Sequence, residues 1–129
     1  MFREVQILVI GDLMLDKYIG GTVERISPEA PCPVFSKKSV TNQLGGAANV
    51  AAQLKQLGAN VILAGCVAND EAGKTLIDIA KDRHISTELI SIDKTKTTVK
   101  SRFIANTHQQ VMRLDDEQIE ELKGYVAYY

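Results

Sequence analysis

Two carboxylates follow closely on an apolar run near the start of the chain, in Gly11-Asp-Leu-Met-Leu-Asp16. In open α/β sheets ligands bind just past the carboxyl ends of the strands. A carboxylate there can accept hydrogen bonds from two hydroxyls, which suits a sugar. Asp12 and Asp16 are equally compatible with loop residues that cap nearby backbone amides. A second candidate is Leu44-Gly-Gly-Ala-Ala-Asn-Val50. Gly45 and Gly46 ahead of a helix let the backbone come close to a ligand and leave the first N–H groups open. Asn49, one turn in, adds a donor and an acceptor. A tight turn that needs only positive φ would read the same way. Lys100 and Arg102 lie two apart in an alternating stretch and therefore share one strand face. Two adjacent cations suit a phosphate, which arginine can grip with two parallel N–H groups. A solvated strand face is the ordinary alternative, and Arg25 and Arg113 are secondary candidates for the same anion.

Other chemistry-bearing patterns have duller explanations. Ala68-Asn-Asp-Glu-Ala-Gly-Lys-Thr75 has the loose spacing of a phosphate-binding loop. Its first position is alanine, however, and Asp70 and Glu71 would set negative charge against phosphates where a backbone nest needs glycine. The expected reading is an N-cap at Asp70 and a closely packed Gly73. His84 sits where a helix would end. His84 and His108 lack matched partners, so no metal constellation is expected.

The elements that must hold these residues alternate. Gln6–Gly11 and Asn60–Val67 are short, nearly all-apolar runs of the kind buried on both faces of a parallel sheet, and Thr87–Ile92 is a weaker third. Val50, Leu54 and Leu57 recur at helical spacing, with Gly58 placed for a left-handed cap. Leu76, Ile79 and Ala80 give a second helix its apolar face, opened by Asp70. Strand and helix in alternation predict an α/β fold around a parallel sheet. Residues 16–41 and 96–114 depart from that plan. Their short alternating pieces, interrupted by three prolines in Ser27–Pro33, predict a small antiparallel sheet outside the main one. From Asp116 onward, Ile119, Leu122 and Val126 have helical spacing.

Composition narrows the class. The 129 residues suit one domain, and 45% apolar with 24% charged residues is ordinary for a globular chain. A formal net charge of -1 supplies no basic field for nucleic acid or an anionic membrane. Cys32 and Cys66, far apart and without CxxC spacing, suit a reducing cytoplasm. The run Val5–Leu15 is broken by Gly11 and Asp12 and lacks a cleavage site, so the chain reads as cytoplasmic.

The stretches GDLMLD, ISPEAPCPV and LGGAANVAAQLKQLGANV, in that order and spacing, resemble the start of the PfkB or ribokinase-type carbohydrate kinases. The run Arg25–Pro31, and Arg113-Leu-Asp115 preceded by Gln109-Gln110, resemble the branch acting on D-glycero-β-D-manno-heptose 7-phosphate. This branch often forms the first half of a bifunctional protein of ADP-heptose and lipopolysaccharide-core precursor synthesis. The likeness reaches from the first strand to Asp115. It implies the N-terminal part of a doubly wound ribokinase-like sheet, with a β lid closing over a sugar phosphate and shared across a homodimer. It also implies that Asp12, Asp16, Gly45, Gly46 and Asn49 line the sugar site. ATP with Mg²⁺ would phosphorylate the anomeric hydroxyl. The family's ATP site and its Gly-Ala-Gly-Asp anion hole, with the catalytic base, lie further on. The resemblance thus places no catalytic residue in these 129 residues and implies that they are inactive alone. Ribose, fructose or a nucleoside as acceptor, and a non-catalytic sugar-binding or dimerising module, are the alternatives.

Overall fold

The computed structural model describes residues 3–106 and 108–119. In chain order they form β1 (Gln6–Ile10), β2 (Leu13–Ile26), β3 (Pro33–Gly46), α1 (Ala47–Gln56), β4 (Asn60–Ala68), α2 (Glu71–Asp82), β5 (Ser86–Lys94), β6 (Thr98–Ala105) and β7 (Gln109–Asp116). The three apolar runs pair in parallel in the order β1-β4-β5. Both helices cover one face of that sheet, and Val61, Leu63 and Val67 join Leu76, Ala80 and Ala51 in a single core. Leu8, Ile10 and Leu89 on the opposite face are 50%, 72% and 55% exposed. One face of the parallel sheet is therefore packed, and the other is apolar and bare.

The apolar stripe of α1 differs from its expected one. Ala48, Ala51 and Ala52 are buried, while Val50 and Leu57 are about half exposed and only Leu54 packs against the core. Close approach explains the choice, since a methyl group on Gly11 would come within 3.0 Å of the Ala47 Cβ. Small side chains let the helix lie low on the sheet, and bulkier ones at these positions would lift it. The caps follow expectation. Gly58 takes φ 93° and donates to the Lys55 carbonyl, while His84 takes φ 57° after α2 and donates to Lys81.

The outer sheet corrects the expected one in size and in direction. It has four strands in the order β3-β2-β6-β7, and β2 and β3 are each 14 residues long. It is mixed rather than antiparallel, because β2 pairs with β6 in parallel. The reason is topological. β1 and β5 run parallel in the first sheet, and each passes into the outer sheet across two or three residues, Gly11–Asp12 and Thr95–Thr97. The strands they feed must then run the same way. Along β2, Leu13 and Leu15 face the core with Leu44 of β3, and Met14, Asp16 and Tyr18 occupy the other face.

Sequence spacing at Ile119, Leu122 and Val126 bears largely on residues outside those described. Cys32 and Cys66 are both free. Among the described residues no helix is long and apolar enough to cross a membrane.

Candidate functional site

Asp16 is not a loop residue but the fourth residue of β2. It lies opposite Gln43 of β3 and Lys100 of β6, and two residues on Tyr18 lies opposite Thr41 and Arg102. Strand alternation thus gathers an acid, two cations, an aromatic ring and two neutral polar side chains on one face. Arg102 Nη1 stands 3.4 Å from Asp16 Oδ1, and its guanidinium carbon lies 5.4 Å from the centre of the Tyr18 ring. The two charged side chains are 23% and 18% exposed. Arg102 Nη1 and Asp16 Oδ1 are themselves buried, yet neither has a hydrogen-bond partner among the described residues. They are close enough to attract but not aligned to bond. Leaving such a buried donor or acceptor unsatisfied costs about 1–3 kcal/mol. A hydroxyl placed between them would donate to one and accept from the other.

Gly45 makes the room for this arrangement. A Cβ there would fall 2.6 Å from Asp16 Oδ1 and 2.8 Å from its Cγ. Gly46 serves a different end. Its φ of 58° with ψ of -134° is a conformation open essentially to glycine. It lets the chain turn from β3 into α1, where the Ala47 N–H meets the Asp12 carbonyl at 2.9 Å. No side chain caps α1, and its first turn holds no acidic residue. Asp12 and Asn49 are exposed at this junction of the two sheets. Asp16, Gly45, Lys100 and Arg102 are therefore assembled directly, and Asp12, Gly46 and Asn49 flank them at the base of the outer sheet.

The cations differ in availability. Arg113 faces Arg102 across the sheet, but Asp115 holds it through two contacts, Nε to Oδ1 at 2.9 Å and Nη2 to Oδ2 at 3.0 Å. Arg25 lies nine residues beyond Asp16, roughly 30 Å along the strand. Lys100 is half-buried opposite Asp16 and has no ion-pair partner among the described residues. Tyr18 and the commitment of Arg113 to Asp115 were missed from sequence. Period-two spacing from Asp16 would have found Tyr18.

The loop with phosphate-loop spacing does not fit a nucleotide. The Asp70 carboxylate occupies the start of α2, where Oδ1 accepts from the Gly73 N–H at 2.8 Å. Its Oδ2 accepts from the Thr97 N–H at 2.9 Å, and Oδ1 also takes the Thr97 hydroxyl at 2.7 Å. Burial pushes the Asp70 carboxyl up, but the donations from Thr97 and Gly73 outweigh it and hold the group below its ordinary value. A fixed negative charge at that helix end repels an anion.

The frame is thus a three-stranded parallel sheet under two helices, joined to a four-stranded mixed sheet with one charged face. The profile of the pfkB family carbohydrate kinase matches residues 5–126, and the chain belongs to that family. It is 45% identical over 119 residues to a protein of Campylobacter fetus named "Bifunctional protein HldE", covering 92% of this chain and 26% of that one. It is 51% identical over 113 residues to the protein of the same name from Helicobacter pylori strain J99, covering 87% and 24%. The chain thus spans about a quarter of the length of the curated relatives it matches. Among solved structures it resembles Arabidopsis thaliana ribokinase complexed with ribose and ATP. The TM-score is 0.65 at 18% identity, over 90% of this chain and 36% of that one. It also resembles Halothermothrix orenii fructokinase, with a TM-score of 0.60 at 25% identity over 88% and 37%. The fold is that of the ribokinase-like kinases.

Proposed function

We propose that the chain is the acceptor-binding part of an ATP-dependent kinase that phosphorylates the anomeric hydroxyl of D-glycero-β-D-manno-heptose 7-phosphate. The observation that carries this reading is the buried pair Asp16 Oδ1 and Arg102 Nη1, with Lys100 beside it, none of the three bonded or ion-paired in good geometry among the described residues. A sugar hydroxyl satisfies both members of the pair, and the cation next to it suits a phosphate on the same molecule. The heptose assignment draws further support from the names of the curated relatives.

In this reading Asp16 orients a hydroxyl as acceptor and Arg102 as donor. The Tyr18 ring and the Asp16 charge keep the guanidinium nearby, and Lys100 with Arg102 holds the 7-phosphate. Asp12, the Gly45–Gly46 backbone and Asn49 line the sugar's other side. The chain binds and orients, and no proton or phosphoryl step is assigned to its residues. ATP and Mg²⁺ belong to the three quarters of its relatives' length that the chain does not span. A cytoplasmic location and a homodimer through the lid are part of the same proposal. The face of the outer sheet turned away from Asp16 carries exposed Val40, Met112 and Leu114, with Phe35 and Phe103 in edge-to-face contact at 5.3 Å. That apolar face suits a second copy.

Calorimetric titration of the full-length kinase with the heptose, phosphorylated and not, tests the acceptor. The phosphate should improve affinity about thirtyfold, the effect of one charge-assisted contact of roughly 2 kcal/mol. Lys100→Ala should remove most of that gain and leave the unphosphorylated sugar unaffected. Arg102→Ala should weaken both sugars, because it also strips Asp16 of its neighbour. Equal affinity for both sugars in the wild type would overturn the phosphorylated acceptor.

A further inference from the structure

The chain passes between its two sheets three times, and the third passage is held differently from the others. At Gly11–Asp12 and at Gly46–Ala47 the two passages are tied to each other backbone to backbone, Ala47 N–H to the Asp12 carbonyl at 2.9 Å. At Thr95–Thr97 the joint runs through side chains. The Thr97 hydroxyl accepts from the Ala68 N–H at 2.9 Å and donates to Asp70, whose second oxygen takes the Thr97 N–H. Thr97 is 1% exposed. Gly73 closes the packing, because a Cβ there would lie 2.4 Å from the Ala68 carbonyl and 2.9 Å from the Thr97 hydroxyl.

Capping α2 needs only the bond from Asp70 to the Gly73 N–H. The remaining bonds reach 27 residues along the chain to the residue that precedes β6. Lys100 follows three residues later, about 10 Å along a strand that is paired on both edges. Whatever fixes Thr97 therefore fixes the height of Lys100 and Arg102 beside Asp16.

We propose that Asp70 and Thr97 form a clasp that seats β6 against the parallel sheet, and that both are positioning residues for acceptor binding. The second half rests on the reading above that β6 contacts the acceptor.

Asp70→Ser separates the clasp from the cap, since serine still caps a helix but is too short to reach Thr97 as well. Thr97→Val removes the hydroxyl at nearly constant shape, and Thr97→Ser restores it. In the full-length kinase, Asp70→Ser and Thr97→Val should each raise the acceptor KM about tenfold, the loss of one or two buried hydrogen bonds, with the ATP KM within about twofold. Thr97→Ser should behave like the wild type. Amide hydrogen exchange should quicken in residues 98–105, and at Ala68 in Thr97→Val, and stay unchanged in residues 60–67 of β4. Unchanged exchange in β6 in both variants overturns the clasp, whatever the acceptor proves to be. A loosened β6 with an unaltered acceptor KM overturns the positioning role. Lys100→Ala tests the acceptor reading separately, so the two failures can be told apart.

Discussion

A methyl group added at Gly45 and one added at Gly46 would act on different properties. At Gly45 the new carbon would meet the Asp16 carboxylate, 2.6 Å from Oδ1. That side chain can swing away, but only out of reach of Arg102. At Gly46 it would meet the Asp12 carbonyl at 2.5 Å with φ at 58°, and backbone cannot swing. Gly45→Ala should therefore raise the acceptor KM of the full-length kinase at least about tenfold while the melting temperature changes little. Gly46→Ala should lower the stability by roughly 2–4 kcal/mol, combining backbone strain with the clash. Thermal melts and acceptor titrations on the two variants check the division. The glycine pair was visible in sequence as a place of close approach. Which glycine lies against Asp16 and which makes the turn depends on the register Met14↔Gly45 and Leu13↔Gly46, which pairs strands some thirty residues apart.

Among the elements, α2 carries the titratable joint. The carboxyl of Asp70 is held below the usual 3.8 because its ionised form accepts the Gly73 and Thr97 donors. A lowered folded value means that ionised Asp70 stabilises the fold at neutral pH, and that this contribution fades as pH falls through the lowered value. Wild type should exceed Asp70→Asn in melting temperature at neutral pH, and the gap should shrink as the pH falls below 3.8. A gap independent of pH would mean that the asparagine loses something other than charge. This cap was legible locally, as Asp70 and Gly73 stand three apart ahead of an amphipathic run. Its second partner was not, because Thr97 arrives only when β5 and β6 are in place. The outer sheet had the same limit. Alternation around Lys100 and Arg102 predicted a strand, but the parallel partnership of β6 with β2 joins residues more than eighty positions apart. The alanine stripe of α1 was overlooked because a hydrophobic period is counted on large residues, whereas close helix-to-sheet packing selects small ones.

At the scale of the whole molecule, the unequal faces of the parallel sheet set a requirement. Purely parallel sheets are found covered on both sides, and Leu8, Ile10 and Leu89 show one side bare. The 129 residues on their own should bind a hydrophobic dye and self-associate, and Leu8→Gln with Ile10→Thr and Leu89→Gln should reduce both. Sedimentation velocity of the two versions provides the measurement. In a longer protein whose further residues covered this face, the same three changes would instead destabilise. The long strand β2 has a mechanical consequence as well. From Leu13 to Ile26 it spans roughly 43 Å, joined to the parallel sheet through Gly11–Asp12, while Asp16 sits only about 10 Å from that end. A tilt of about 5° about that joint would carry the far tip some 4 Å but Asp16 less than about 1 Å. Such a lever would admit solutes at its outer end while the carboxylate near the fulcrum keeps its place.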